Sequence, residues 1–141
     1  MGPAVKRVSW GILGASTFAL EQMGPAIHMA KGTELAAVAS RDVRKITAFQ
    51  NFAPNCRAIS SYEELINDPE IDVIYIPLPH HLHKEWAIRA MNAGKHVLAE
   101  KPIAMHHCDF EDLLETRNTT DLLISEAFMI VHHPQWQRAR Q

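Results

Sequence analysis

RVSWGILGASTFA, residues 7–19, decides the fold. Residues 7–13 are apolar and β-prone, so they read as a strand. GASTF, residues 14–18, is a glycine-containing turn. A helical pattern follows over 18–30, bent or interrupted at Gly24-Pro25 because proline lacks a backbone donor and crowds the turn before it. Gly32 is placed to cap its C-terminal end. Read from Gly14, the turn is G-x-S-x-x-A, against the G-x-G-x-x-G/A that cradles a dinucleotide. Glycine there permits a tight turn and lets a pyrophosphate reach the free N–H groups at the helix start. Ser16 replaces the second glycine; it crowds an approaching phosphate slightly, and its hydroxyl can donate to it. A plain strand-to-helix turn wants glycine on its own account. The order strand, glycine turn, helix favours a cofactor site built from Gly11, Gly14, Ala15, Ser16, Thr17 and Phe18.

The same alternation continues outward. Strands are expected at 33–39, 56–59, 72–77, 95–99 and 122–127. Helices are expected from Asp42 to about Phe52, from Ser61 under a Ser61–Glu64 capping box, over 81–93, over 109–116, and from about His132. The run DVIYIP, residues 72–77, is nearly continuous in apolar residues, which means burial on both faces, as in a parallel sheet. The expected fold class is α/β, a doubly wound parallel sheet of strand order 3-2-1-4-5-6. In such a sheet ligands bind beyond the carboxyl ends of the strands, where the order reverses between strands 1 and 4.

Length and composition bound the function. A chain of 141 residues holds one domain of usual size. With 47% hydrophobic and 21% charged residues it is neither a disordered tail nor a fibre. Fourteen basic residues face sixteen acidic ones with no basic run, which argues against a nucleic-acid partner. Cys56 and Cys108 form no CxxC and read as reduced thiols of a cytoplasmic protein. The N-terminus lacks the apolar stretch of a signal peptide, and Lys6 occupies the Ser/Thr position of a myristoylation signal. No stretch approaches the roughly 18 apolar residues of a membrane span, so no membrane partner is expected.

Three further groups sit at strand ends. Strand two ends in Ser40-Arg41, where NAD sites place an acid for the ribose hydroxyls. Arginine cannot accept from a hydroxyl, but its guanidinium forks onto a phosphate, which favours NADP over NAD. The alternative is a solvated charge near Asp42; Arg44 and Lys45 add positive field. Past strand four, Leu78-Pro79-His80-His81-Leu82-His83 holds three histidines in four positions. No carboxylate-histidine spacing matches a zinc pattern, so no metal is assigned; a polar cleft lining or exposed loop histidines remain. After strand five comes Glu100-Lys101-Pro102. Lys101 there either lies beside a bound nicotinamide and polarises a substrate oxygen, oriented by Glu100, or forms a surface ion pair of little energetic worth.

These stretches resemble the glucose–fructose oxidoreductase / inositol dehydrogenase / rhizopine-catabolism (Gfo/Idh/MocA) family. The resemblance rests on WGILGAS at 10–16, AVASRD at 37–42, residues 61–104 with AGKHVLAEKP as the most specific signature, and EAFMIVHHPQW at 126–136. It is nearest to the NADP-linked branch of glucose–fructose oxidoreductase, xylose dehydrogenase and dihydrodiol dehydrogenase. The resemblance implies a Rossmann domain over 1–130 that binds NADP, and an oxidoreductase passing a hydride to or from a sugar or polyol. It implies Lys101 and His83 as catalytic residues, His83 at the family's cleft position, with Leu78, Pro79, His80, His83, Glu100 and Lys101 joining the cofactor contacts. His80 stands where the family commonly has asparagine. The family carries a second domain supplying most of the substrate pocket, so residues 131–141 read as its truncated start. Such a chain is expected to bind the cofactor, to lack full catalysis and to stay unassembled; the alternative is a non-enzymatic, NADP-responsive interaction module.

Overall fold

A computed structural model describes residues 7–140; the Met1-Gly2 start, Lys6 and Gln141 lie outside the described residues. The strands are β1 (Val8–Leu13), β2 (Thr33–Ala39), β3 (Arg57–Ile59), β4 (Val73–Ile76), β5 (His96–Ala99) and β6 (Ile124–Glu126). The α-helices are α1 (Gly24–Met29), α2 (Tyr62–Ile66), α3 (His83–Asn92), α4 (His107–Thr120) and α5 (Pro134–Ala139). All six strands form one parallel sheet in the order β3-β2-β1-β4-β5-β6. This is the doubly wound order expected from the sequence.

Strand alternation sends neighbouring residues to opposite layers. Leu13, Ile74, Ile76, Val97 and Ala99 pack with Leu65 of α2, Trp86, Ala87, Ala90 and Met91 of α3, and Leu113 of α4. Ile12, Leu35, Val38 and Tyr75 pack on the other face with Ala19, Ile27, Ile46, Phe49, Ala53 and Cys56. Every residue of β4 is buried, as its unbroken apolar run demands. Gly11 serves this packing. A Cβ there would lie 3.0 Å from Leu65 Cδ1 and 3.2 Å from Ile74 Cδ1.

Two helical expectations change. The first helix is not broken at Gly24-Pro25 but widens into a π-helical turn, Ala19–Met23, before α1. The Gly24 N–H donates to the Ala19 carbonyl, and the wider turn gives the Pro25 ring room. Gly24 itself has no space for a side chain, since a Cβ would meet the Ala19 oxygen at 2.7 Å and Phe52 Cζ at 3.0 Å. The segment expected as a helix from Asp42 to Phe52 forms two 3-10 turns instead, Val43–Ile46 and Phe49–Asn51. Asp42 caps the first of them, its carboxylate accepting from the Arg44 N–H.

The Ser61, Gly32 and Gly94 caps form, but of the expected Ser61–Glu64 capping box only the Ser61 half is made among the described residues. Ser61 Oγ accepts from the Glu64 N–H at 3.3 Å and donates to Glu63 Oε2 rather than Glu64. Gly32 and Gly94 take positive φ after the first helix and α3. α4 runs three turns and more, past the expected 109–116, to a left-handed Asp121 at φ 55. Among the described residues no helix is long and apolar enough to cross a membrane.

The two thiols differ sharply in access. Cys56 is buried, and burial pushes its thiol up to about 11, whereas Cys108 is exposed on α4. Titration with a disulfide reagent near pH 8 should therefore label one thiol per folded chain within minutes. The second should react only in denaturant; two fast thiols in the native protein would contradict this packing.

Candidate functional site

A cleft of about 270 Å³ opens where the sheet order reverses. Gly14, Ala15 and Ser16, after β1, form one wall. Ser40, Arg41, Asp42 and Lys45, after β2, form the end. Pro77, Leu78 and Pro79, after β4, face them with Tyr62 of α2. Gly14 has φ +105 and donates its N–H to the Ala39 carbonyl at 2.9 Å, tying the turn to the end of β2. A Cβ at Gly14 would lie 2.9 Å from Leu78 Cδ2. Ser16 Oγ accepts from the Ala19 N–H at 3.1 Å, so Ser16 caps the helix. Its hydroxyl hydrogen stays available, and the first-turn N–H groups of Thr17 and Phe18 have no partner within the helix. The donor set suits an anion.

The charges at the β2 end are sorted. Asp42 is engaged by Arg44 through Nε at 2.9 Å and Nη2 at 3.1 Å, as well as by the Arg44 N–H. That hydrogen-bonded guanidinium holds the Asp42 carboxyl below its ordinary range, so the acid stays ionised and paired. Arg44 is paired with Asp42 and does not line the cleft. Arg41 has no ion pair or hydrogen-bond partner among the described residues and lines the cleft beside Lys45. The buried Ser40 accepts from the Asp42 N–H at 3.1 Å and keeps a hydroxyl hydrogen to donate.

A second opening, about 350 Å³, is lined by His80, Lys101, Pro102, Glu126 and Phe128. Three side chains fasten three successive residues beside it. Glu100 Oε2 accepts from the Lys101 N–H at 3.3 Å. His83 Nδ1 lies 2.8 Å from the Pro102 carbonyl oxygen, across a cis Lys101–Pro102 peptide. Glu126 Oε1 accepts from the Ile103 N–H at 2.9 Å. Glu100 is fixed in turn by the buried Tyr75, whose hydroxyl donates to Oε1 at 2.7 Å. Burial first, then this carboxylate, pushes the Tyr75 phenol far above its ordinary range, so it remains a donor. The Lys101 ammonium is exposed at the mouth.

Most residues expected in the site converge. Gly14, Ala15, Ser16, Ser40, Arg41, Leu78 and Pro79 meet in the first cleft, and His80 and Lys101 in the second. Glu100 and Phe18 share a third recess of about 220 Å³ with Met23, Leu98 and Phe128. Thr17 lies exposed at the helix start. Two residues lie elsewhere. Gly11 sits within β1 and packs against Leu65 and Ile74 instead of reaching the cleft. His83 is fully buried, with Nε2 2.7 Å from the Leu78 carbonyl oxygen and Nδ1 on that of Pro102, so neither ring nitrogen faces open space. Sequence reasoning passed over Tyr62, Tyr75 and Glu126. A tyrosine inside an otherwise aliphatic strand was the available signal for Tyr75, since a buried hydroxyl needs a partner. Among the described residues no three His, Cys, Asp or Glu side chains gather as a metal would require.

Residues 8–128 match the family model described as oxidoreductase family, NAD-binding Rossmann fold (Gfo/Idh/MocA). The chain belongs to this family. One Gfo/Idh/MocA relative is the dTDP-3,4-didehydro-2,6-dideoxy-alpha-D-glucose 3-reductase of Saccharopolyspora spinosa, 40% identical over 91% of this chain and 38% of its own length. Another is the D-xylose 1-dehydrogenase (NADP(+)) 2 of Haloferax volcanii, 35% identical over 94% of this chain and 40% of its own. The solved 3-ketoreductase KijD10 of Actinomadura kijaniata, in complex with NADP and TDP-benzene, superposes with TM-score 0.89 at 34% identity, over 94% of this chain and 41% of that one. The chain thus spans about two fifths of the length of these relatives.

Gly14 carries the sharpest steric demand in the first cleft. Gly14→Ala should destabilise the fold by about 1–3 kcal/mol, since the side chain meets both a disfavoured φ and Leu78. Urea unfolding checks this, and a change below about 0.5 kcal/mol would mean that the turn relaxes.

Proposed function

We propose that this chain forms the NADP(H) site of an oxidoreductase acting on an alcohol or hemiacetal carbon of a sugar or polyol. The carrying observation is the unpaired Arg41 beside Ser40 and Lys45, with the neighbouring acid Asp42 already taken by Arg44. A phosphate on the ribose would find a guanidinium fork, a hydroxyl donor and an ammonium, and no free carboxylate. The pyrophosphate would lie along Gly14, Ala15 and Ser16, where donors and the helix start favour an anion. The NADP-linked names of the xylose dehydrogenase and of the ketoreductase complex support the same cofactor.

Bound NADP(H) supplies or accepts the hydride. In reduction the Lys101 ammonium would hold the carbonyl oxygen and give it a proton; in oxidation the neutral Lys101 amine would take the alcohol proton. Glu100, held by Tyr75, fixes the backbone from which Lys101 projects. His80 adds a polar group to the same opening. Residues up to about 130 make the nucleotide domain, and 131–141 lead toward the part that completes the substrate pocket in longer relatives. Holding both reactants in one geometry is a large share of catalysis, so turnover by this stretch alone should be poor. No assembly with nucleic acid or membrane is part of this reading.

Calorimetric titration of the purified chain with NADPH and NADH tests it. NADPH should bind at least about tenfold more tightly, roughly 1.4 kcal/mol. Arg41→Ala should erase most of that preference and leave NADH affinity nearly unchanged. Equal affinities in the wild type would overturn the phosphate assignment, and absence of binding by both would overturn the site.

A further inference from the structure

His83 has no free ring nitrogen to offer a ligand, yet its two contacts connect the two clefts. Nε2 reaches the carbonyl of Leu78, a wall residue of the nucleotide cleft, at 2.7 Å. Nδ1 reaches the carbonyl of Pro102, the neighbour of Lys101, at 2.8 Å. The ring lies at the first residue of α3 and is wholly buried, so water does not reach the ring itself. The imidazole is the only side chain spanning the loop after β4 and the loop after β5 in the described hydrogen bonds. Glu126 holds the far side of the same loop through the Ile103 N–H.

We infer that His83 is a positioning residue: its ring ties Leu78 to Pro102 so that the two loops move as one unit, and filling the nucleotide cleft sets the direction of the Lys101 ammonium. A neutral imidazole carries one ring hydrogen: on Nδ1 it donates to the Pro102 carbonyl and makes the tie between the loops, on Nε2 it donates to Leu78, and only an imidazolium donates to both at once. Removing the ring takes away that donor and the filling between the buried Leu78 and the Pro102 carbonyl, and each loop then relaxes toward its own solvation. The last link, from cleft filling to Lys101, rests on the proposed NADP(H) reading; the clamp itself does not.

Amide exchange followed by NMR on the ligand-free chain tests the clamp. The Ile103 amide is the reporter, and the Ile74 and Ile76 amides of β4 are the internal reference. His83→Leu should speed exchange at Ile103 at least tenfold relative to β4. The core variant Leu113→Ala should change both together if it acts through global stability. His83→Gln, which keeps one donor, should fall between wild type and His83→Leu. An unchanged Ile103-to-β4 ratio in the His83 variants overturns the clamp. Should His83→Leu fail to fold, His83→Gln and the wild-type ring still decide it. A wild-type His83 with no slowly exchanging ring N–H also overturns it.

The coupling is read on Lys101 after reductive ¹³C-methylation, with Lys101→Arg assigning the signal. At saturating NADPH the Lys101 methyl resonance should shift in the wild type and stay still in His83→Gln. Equal shifts in both overturn the coupling. A purely structural ring would alter melting temperature without separating these two responses. Failure of the wild type to bind NADPH counts against the proposed function, whereas the exchange ratios still decide the clamp.

Discussion

The crevice at the centre of this molecule exists because parallel strands cannot be joined by tight turns. Each must be followed by a crossover that packs on one face of the sheet. After β1 the chain leaves toward the face holding Ile12, Val38 and Tyr75, where Ala19 and Ile27 pack. After β4 it leaves toward the opposite face, where Trp86, Ala87 and Ala90 of α3 meet Ile74 and Ile76. Neighbouring strands whose connections diverge leave unfilled space above their carboxyl ends. The hydrogen bond from Gly14 to Ala39 and the contact of Leu78 with Gly14 narrow that space to a cleft. The burial of β4 on both faces therefore does more than stabilise the sheet. It fixes where Leu78, His83 and Tyr75 start.

Tyr75 and His83 extend the same constraint to the Lys101 loop. Tyr75 points into the layer opposite Ile74 and Ile76, and its hydroxyl finds Glu100 at the end of β5. A phenol so buried must donate somewhere, and a carboxylate is its strongest acceptor. Glu100 then accepts from the Lys101 N–H, and Glu126 at the end of β6 accepts from Ile103. Adjacent strand ends thus supply the anchors of an exposed loop. An exposed lysine on a loop is ordinarily mobile; here its backbone is held by groups on the rigid sheet.

The strands and their order were legible because a doubly wound sheet writes itself as apolar runs alternating with helical stretches. β4 is the clearest case, four buried residues in a row. The segment after Asp42 departs from the α-helix its sequence suggests for a reason the spacing contains. Ile46, Phe49 and Phe52 repeat every third residue, which suits three residues per turn better than 3.6. The β-branched Val43, Ile46 and Thr47 further weaken an α-helix there. His83 was read as a cleft residue because sequence places it at the right strand end; it cannot tell which way a ring at a helix start turns. Glu126 and Tyr75 were passed over because their partners, Ile103 and Glu100, lie more than twenty residues away.

The Arg44–Asp42 pair shows how a local contact can change what a shared fold accepts. An acid near the end of β2 ordinarily receives ribose hydroxyls, and its charge repels an added phosphate. In this chain the acid is one step past Arg41 and is held by a two-pronged guanidinium. The Arg44 guanidinium, hydrogen-bonded to Asp42, holds its carboxyl below the ordinary range. Its charge is thereby balanced locally by Arg44 where Asp42 lines the cleft. Beside this pair the opening is lined by Arg41, which has no partner among the described residues, by Lys45 and by the Ser40 hydroxyl. The pair forms where Asp42 caps the 3-10 turn Val43–Ile46, between residues two apart, and Lys45 of the same turn lines the cleft.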